Sequence, residues 1–273
     1  MRRRLLPNRY FSQMTFAVGP RAATAGHRVI EHDRLDSTNS EALRLLRAGE
    51  HGPVWIVTHE QTAGRGRRGR EWISSPGNLA VSLLLTETVT PAVAATLGFV
   101  ASLAVCETCE TLAPGVAFAV KWPNDVLANG SKVAGILLES EIQGDALAVV
   151  AGVGVNLASA PDAMTFPATS ILKLGHNISP EAAFARLSDC FVRMIEIWKR
   201  GQGFSEIRGL WLDRAKGVGK AISIRIGNRV QDGIFETLDE QGRLVLRMAD
   251  GRLDMVSAGD VYFGQAASAG ARV

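Results

Sequence analysis

The sequence predicts an α+β protein, with a mixed, largely antiparallel sheet flanked by helices and a small all-β domain at the C-terminal end. Three strand-like segments, "GVAFAVKWPNDV", "KVAGILLESEI" and "ALAVVAGVGVNL", follow one another with turn signals between them, which indicates a meander. The long apolar stretch Pro91–Leu112 predicts a buried helix. Beyond residues 216–219 the strands become short and the turns tight, which is typical of a small barrel or sandwich.

The first part of the chain carries clear start and stop signals. Residues 38–41 (Thr-Asn-Ser-Glu) form a capping-box pattern that predicts a helix, and Gly49 is expected to end it. Residues 54–61 and 78–85 are rich in β-branched and aliphatic side chains and predict two strands.

The second half contains two further helix signals. Ser179 is a good N-cap and Pro180 suits the first helical position, so a helix is expected to run from there to Gly201. A shorter helix is expected around residues 204–214. The main domain therefore spans residues 27–216, the β domain residues 217–265 and a tail residues 266–273.

The N-terminal residues 1–26 are expected to form a disordered extension, with order beginning near His27. Pro7 and Asn8 interrupt the apolar run that a secretory signal needs. An organelle transit peptide and a true start at Met14 remain alternatives. We expect no stretch of about 18 apolar residues, and hence no membrane span.

Composition excludes several classes of function. The chain has 273 residues, of which 47% are hydrophobic and 21% charged, so a sizeable core is expected. A net charge of +3 is too small for a general polyanion-binding surface, and 6% aromatic residues are few for a nucleic-acid stacking platform. Any strong positive field must therefore be local.

The three cysteines predict no disulfide scaffold. Cys106 and Cys109 form a C-x-x-C on one face of the predicted helix, and Cys190 stands alone. A zinc site would need a second pair of ligands, so buried core thiols are the favoured interpretation. A reducing, cytoplasmic location is expected.

The most unusual stretch is "GRGRRGR", residues 64–70, which alternates glycine with arginine. Glycines allow close backbone approach to a ligand, and arginines bind phosphates through planar donor forks. Taken alone, the stretch fits nucleotide binding and nucleic-acid binding equally well. Its formal G-x-G-x-x-G match is not followed by a helix, so a dinucleotide site is rejected, and we expect a flexible loop.

Two other motifs carry candidate residues. In "KWPNDV", Lys121 ends a strand before a rigid turn, where it could neutralise a phosphate or carboxylate, or could be a surface lysine lying on Trp122. Asp125 could orient or deprotonate an amine, or cap the turn. In "GVGVNL", the glycines admit something bulky, with Asn156 as a polar contact, or they serve close strand–helix packing.

Taken in order, "DSTN", "EQTAGRGRRGREWISSPGNL", "KWPNDV", "KVAGILLES" and "GVGVNL" resemble the biotin protein ligases over roughly residues 27–263. The resemblance implies a core similar to the lipoate ligases and class II aminoacyl-tRNA synthetases, and an SH3-like C-terminal barrel. It implies activation of biotin by ATP and Mg²⁺, followed by transfer to a lysine of the biotin carboxyl carrier protein of acetyl-CoA carboxylase or a related carboxylase. The metal is expected to arrive with ATP and not on a protein site.

The resemblance also assigns site residues. Biotin contacts are expected from Ser37, Thr38, Asn39, Gln61, Arg65, Gly66, Arg67 and Lys121. ATP and adenylate contacts are expected from Gly64, Arg65, Arg67, Arg70, Trp72, Asn124, Lys132 and Asn156. Arg67 and Lys121 are the expected catalytic residues.

Some members of the family carry an N-terminal winged-helix domain and act as repressors. Only about 26 residues precede the core here, fewer than such a domain needs. We therefore expect a ligase without specific DNA binding, and the sequence leaves open whether it forms a homodimer. A nucleic-acid-binding protein and a lipoate ligase remain the alternatives.

Overall fold

The structure is a computed structural model and describes residues 15–161 and 166–263. A seven-stranded sheet forms its centre, in the spatial order β1-β2-β3-β7-β6-β5-β4. Only β1 and β2 pair in parallel, and every other neighbouring pair in this sheet is antiparallel. The strands are β1 Arg28–Leu35, β2 Val54–Gln61, β3 Leu79–Glu87, β4 Phe118–Lys121, β5 Asp125–Ala128, β6 Ser131–Gln143 and β7 Ala146–Val155.

Helices cover both faces of this sheet. Helix α2, Thr38–Arg47, packs on one face, where Ala42 and Leu46 meet Ile56, Leu84 and Val150. The longer helices pack together on the other face and enclose the main core. The helices are α1 Pro20–Thr24, α2 Thr38–Arg47, α3 Pro91–Ala95, α4 Leu97–Leu112, α5 Pro180–Trp198 and α6 Phe204–Asp213.

The apolar stretch Pro91–Leu112 is a core element. It is long and apolar enough to cross a membrane, so the expectation that no stretch would reach that length is wrong. However, 72% of its most apolar window is buried within the fold, as a helix enclosed by protein would be. The stretch is also divided at Thr96, between α3 and α4.

Residues 15–26 belong to the fold, so the expected start of order at His27 is wrong. Phe16 is buried, and its N–H donates to Glu31 on β1. The N–H of Gly19 donates to Ser188 Oγ, 2.8 Å away, and the N–H of Ala22 donates to Asp189. These contacts fasten the segment to β1 and α5. Residues 1–14, including the possible start at Met14, lie outside the described residues.

The two predicted helix caps have different outcomes. Ser179 caps α5 as expected, because its hydroxyl accepts from the N–H of Ala182. The capping box at residues 38–41 does not form: Ser37 is the N-cap of α2, with no side-chain cap bond, and Glu41 pairs with Arg44. The Thr38 N–H is instead taken by Gln61 Oε1 at 2.9 Å.

The C-terminal domain is a five-stranded antiparallel sheet, in the order β11-β10-β9-β8-β12. Its first strand begins at Ala221, just after residues 216–219. The C-terminal domain contacts the main domain directly, since Trp122 Nε1 donates to the carbonyl of Gly242 at 3.2 Å. The strands are β8 Ala221–Ile226, β9 Arg229–Leu238, β10 Leu244–Arg247, β11 Leu253–Val256 and β12 Asp260–Phe263.

The cysteines are core residues, as predicted. Cys106, Cys109 and Cys190 are all free thiols buried among the helices. Burial raises the pKa of the Cys109 thiol to about 12 and also raises the pKa of Cys106 and Cys190. Within the described residues, no three or more His, Cys, Asp or Glu side chains group as a metal site would require.

Candidate active site

A single cleft collects most of the predicted site residues. It lies above the sheet where the start of α2, the arginine-glycine loop and strands β6 and β7 meet. Eleven of the predicted residues line it: Ser37, Thr38, Asn39, Gln61, Arg65, Gly66, Arg67, Arg70, Trp72, Asn124 and Lys132.

The start of α2 forms the buried end of the cleft. Strands β1 and β2 are parallel, so their C-terminal ends lie side by side and bring the "DSTN" segment next to Gln61. Ser37, Thr38 and Asn39 are buried polar residues. Gln61 Nε2 donates to Ser74 Oγ at 3.0 Å, which fixes the amide plane. Buried hydroxyl and amide groups of this kind suit a small polar ring.

The glycines of β7 make room for bulky side chains from above. A Cβ at Gly152 would overlap the amide of Asn39, and a Cβ at Gly154 would overlap the indole of Trp72. On β6, a Cβ at Gly135 would lie 3.0 Å from the same indole. The "GVGVNL" glycines therefore admit side chains of the site.

Trp72 lines the cleft next to the arginine-glycine loop. Its backbone N–H donates to the carbonyl of Gly64 at 2.9 Å, and a side chain at position 64 would overlap the carbonyl of Trp72. The Lys132 amine lies 5.5 Å above the indole centroid. Gly64 does not line the cleft, but it holds the loop and Trp72 together.

The arginine-glycine loop follows a defined path. The Gly66 N–H donates to the Arg70 carbonyl at 2.7 Å, and Arg68 adopts a left-handed conformation with φ of 57°. Each arginine has a partner. Arg65 binds Glu139 at 2.8 Å. Arg68 and Arg70 both bind Asp260 of β12.

Arg67 is the loop arginine that turns inward. Its Nη1 donates to Asn124 Oδ1 at 3.1 Å, which joins the loop to the "KWPNDV" turn. Burial lowers the pKa of its guanidinium, while the nearby carboxylates of Asp260 and Asp125 act in the opposite direction. A partly desolvated arginine interacts strongly with a bound anion.

Lys121 is buried, so the interpretation as a surface lysine is wrong. It was expected to contact the ligand, but it is not among the residues that line the cleft. Its side chain is 8% exposed, and its amine lies 3.8 Å from the ring centroid of Phe166, which covers it. Asp125 connects it to the cleft, 3.8 Å from Lys121 Nζ and 2.6 Å from Lys132 Nζ. Burial lowers the pKa of Lys121.

Asn156 also lies outside the cleft. Its amide nitrogen donates to the carbonyl of Thr169 at 3.2 Å, and its backbone carbonyl accepts from Ile171. These bonds attach the segment after the undescribed residues 162–165 to the end of β7. In this structure Asn156 supports the wall of the site and is not among the residues that line the cleft.

The motif interpretation missed several lining residues. Asp260 comes from the C-terminal domain, and Gly135, Ile136 and Leu137 come from β6. Ser82 on β3 lies beneath the cleft, within 2.7 Å of both Thr38 and Asn39. Only the spatial pairing of distant strands brings these residues to the site.

The family models that match the chain agree with this arrangement. Residues 31–156 match the biotin/lipoate A/B protein ligase family, and residues 217–264 match the biotin protein ligase C-terminal domain. Among solved structures, the biotin protein ligase of Aquifex aeolicus in complex with biotin and ATP is 25% identical, with a TM-score of 0.72. That match covers 86% of this chain and 97% of the other.

Two similar proteins are also biotin ligases by name. The biotin--[acetyl-CoA-carboxylase] ligase of Paracoccus denitrificans is 44% identical over 242 residues, which cover 85% of this chain and 98% of that protein. The bifunctional ligase/repressor BirA of Bacillus subtilis is 31% identical over 260 residues, which cover 93% of this chain and 79% of that protein. With its fold, its cleft and these relatives, the chain belongs to the biotin protein ligase family.

Proposed function

We propose that this protein is a biotin--[biotin carboxyl-carrier protein] ligase. It activates biotin with ATP as biotinyl-5′-AMP and transfers the biotinyl group to a lysine of a carrier protein. The observation that carries the proposal is that one cleft holds a buried polar end and, next to it, an arginine-rich loop. The first suits the ring of biotin and the second suits a triphosphate. The 44% identity to a ligase of that name supports the same assignment.

In the first step, a carboxylate oxygen of biotin attacks the α-phosphorus of ATP. A new P–O bond forms, the bond to the β-phosphate breaks, and pyrophosphate leaves. The nucleophile is already an anion, so no general base is required. The main requirement is to reduce the repulsion between the carboxylate and the triphosphate.

Cationic side chains around the cleft can meet this requirement. Arg67 is partly buried beside Asn124, and Lys132 reaches over Trp72 from β6. Arg65 and Arg70 hold carboxylates that a phosphate can replace. Mg²⁺ bound to ATP would neutralise charge on the pyrophosphate. Within the described segments no three or more His, Cys, Asp or Glu side chains group together, and we expect the ion to arrive bound to ATP.

Lys121 can contribute in two ways. Lys121 and Lys132 both pair with the carboxylate of Asp125, so the positive charge of Lys121 lies close to the cleft. It can also contact the ligand directly if the ring of Phe166 moves aside when the ligand binds. We assign it to the first step, because its charge would stabilise negative charge that develops on the reacting oxygens.

In the second step, the lysine amine of the carrier attacks the carbonyl carbon of biotinyl-5′-AMP. An amide bond forms, AMP leaves, and the amine loses a proton. Asp125 was a candidate to accept that proton or to cap the turn. In this structure it makes ion pairs with two lysines, which support neither role. We propose that it orients Lys132 and Lys121.

The other expectations extend this proposal. The acceptor is the carrier protein of acetyl-CoA carboxylase or a related carboxylase, the location is cytoplasmic, and a homodimer is possible. We expect no specific DNA binding, because the net charge of the chain is only +3. A shift assay with biotin-operon DNA at physiological salt tests that point, and a saturable, sequence-specific shift would contradict it.

Pyrophosphate release tests the proposed function against its alternatives. The protein is incubated with ATP and either biotin, lipoate or no acid. We expect release only with biotin. Release with lipoate alone would identify a lipoate ligase, and no release with either acid would exclude both activities and favour a binding protein.

A further inference from the structure

The hydroxyl of Ser82 lies at the centre of a hydrogen-bond network beneath the buried end of the cleft. Ser82 is on β3 and is 0% exposed. Its Oγ lies 2.6 Å from Asn39 Oδ1 and 2.7 Å from Thr38 Oγ1. The chemistry proposed above gives this residue no role, yet it contacts two residues assigned to biotin binding.

The protons of this network have one consistent arrangement. Asn39 faces the carboxylate of Glu139 at 2.8 Å and the carbonyl of Leu137 at 3.3 Å, and both of these groups only accept hydrogen bonds. The amide nitrogen of Asn39 must therefore face them, and its oxygen must face Ser82. Since that oxygen only accepts, the single proton of Ser82 points to Asn39.

The orientation of Asn39 then determines that of Thr38. Because the Ser82 proton is used, the Thr38 hydroxyl must donate its own proton to Ser82 Oγ. The Thr38 N–H requires an acceptor, so the oxygen of Gln61 faces Thr38 and its nitrogen faces Ser74. Thr38 Oγ1 also lies within hydrogen-bond distance of Gln61 Oε1, at 3.2 Å, but the shorter contact with Ser82 Oγ, at 2.7 Å, takes the Thr38 proton in this arrangement. Together they present two acceptors to the cleft.

We infer that Ser82 and Glu139 are positioning residues that determine which of these atoms donate and which accept. As a result, the edge formed by Thr38 Oγ1 and Gln61 Oε1, the Thr38–Gln61 edge, accepts an N–H of the substrate. The chemistry fits a cyclic urea, whose two N–H groups only donate and whose oxygen only accepts. The network also uses both N–H bonds of Asn39, so Asn39 orients its neighbours and donates nothing to the ligand. The inference rests on the proposed function and specifies how its biotin site selects the ring.

The first test is Ser82→Ala, because it removes the hydroxyl that joins Thr38 to Asn39 and adds no atoms. The Thr38 hydroxyl is then free to turn towards Gln61 Oε1. We expect the KM for biotin to rise about tenfold, which is the effect of losing about 1.4 kcal/mol of binding, while the KM for ATP changes less than twofold. Pyrophosphate release measures both constants.

A matched control separates this effect from general destabilisation. Ser102 is another buried serine, on α4, whose hydroxyl donates to the Phe99 carbonyl and accepts from Trp211 Nε1. Ser102→Ala also removes a buried hydroxyl with two partners, but it lies outside the site. It is expected to lower the unfolding midpoint and to leave the KM for biotin unchanged.

Substrate analogues provide a readout that a purely structural role would not change. In a cyclic carbamate analogue of biotin, one ureido N–H is replaced by an oxygen of similar size, so an acceptor would face the Thr38–Gln61 edge. The natural protein should prefer biotin over at least one of the two possible carbamates. In Ser82→Ala this preference, measured as the ratio of kcat/KM for biotin to kcat/KM for the carbamate, should be about tenfold smaller. Glu139→Gln should shrink it in the same direction but by less, because an amide can present its own N–H to Asn39 while the Leu137 carbonyl still faces the Asn39 amide nitrogen.

The outcomes are distinguishable. A smaller preference in both variants, with Ser102→Ala unchanged, supports the inference. If the natural protein turns over biotin but the preference is the same in Ser82→Ala or, should that variant not fold, in Glu139→Gln, the inference is wrong and the proposed function stands. If the natural protein releases no pyrophosphate with biotin, both are wrong.

Discussion

Trp72 lies directly over Gly154, and a side chain as small as alanine at position 154 would overlap its indole ring. The ring also covers Gly135 on the neighbouring strand β6. The two glycines therefore determine where Trp72 lies, and with it the wall of the cleft assigned to the adenylate.

Gly154→Ala should consequently displace Trp72. We expect the KM for ATP to rise about tenfold while the KM for biotin changes little, because the start of α2 is not touched. Gly209→Ala is the control, since its Cβ would meet nothing within 4 Å. In the middle of α6 it should stabilise the fold by about 0.5–1 kcal/mol. An unchanged KM for ATP in Gly154→Ala would show that Trp72 has no part in nucleotide binding.

Arg67 should retain the reactive intermediate. It is the partly buried arginine of the loop and is joined to Asn124. Arg67→Gly is expected to release biotinyl-5′-AMP into solution at least tenfold faster, with the fold intact. Arg68→Gly is the control, because Arg68 points to Asp260 and already has a left-handed backbone. Equal retention by Arg67→Gly and the natural protein would remove Arg67 from this role.

Asp260 should hold the loop when no nucleotide is bound. Its carboxylate binds both Arg68 and Arg70, and exposed pairs of this kind contribute about 0.2–1 kcal/mol each. Asp260→Asn should speed trypsin cleavage at the loop by several-fold in the free protein. Biotin with ATP should protect the loop in both proteins.

Glu236→Gln is the control for the loop experiment, since it breaks an exposed pair with Arg247 that involves no residue of the loop. Cleavage of the loop in this variant should match the natural protein. If Asp260→Asn is cleaved no faster than Glu236→Gln, the pairs with Asp260 do not restrain the loop.

Lys121 should give the first step a distinctive pH dependence. Burial lowers its pKa, so its positive charge is lost on the alkaline side at a lower pH than for an ordinary lysine. Adenylation should therefore decline as the pH rises towards this pKa, and Lys121→Arg should remove the decline. Lys121→Ala should slow pyrophosphate release by about a hundredfold or more and affect transfer from supplied biotinyl-5′-AMP much less. Equal losses in both steps would contradict the assignment.

The cysteines should be unreactive in the folded protein. Burial raises the pKa of Cys109 to about 12, and Cys106 and Cys190 are shifted in the same direction. A thiol reagent at pH 8 should label none of them in the native protein and all three after unfolding in guanidinium chloride. Labelling of Cys106 or Cys109 in the folded protein would show that α4 is not packed as described.

The sequence predicted most elements because their signals are local. Asn129 and Gly130 determine the β5–β6 turn, and Ser179 with Pro180 determines the start of α5. The capping box at residues 38–41 failed because a distant partner, Gln61, takes the Thr38 N–H. A local pattern cannot show that competition.

The candidate site was predicted where a motif holds consecutive residues. Three residues of "DSTN" and four of the arginine-glycine loop line the cleft: Ser37, Thr38, Asn39, Arg65, Gly66, Arg67 and Arg70. Ser82, Glu139 and Asp260 were missed because they reach the site only through strand pairing and domain contact. Lys121 and Asn156 were assigned to ligand contact, but Phe166 covers the first and Thr169 engages the second.

Transfer of biotin to a carrier domain tests the central claim most directly. The protein is mixed with ATP, Mg²⁺, biotin and the biotin carboxyl carrier domain of an acetyl-CoA carboxylase, and the carrier is analysed by mass spectrometry. We predict one biotinyl group, on a single lysine, that appears only when ATP is present. An unmodified carrier, or modification that does not depend on ATP, would contradict the account.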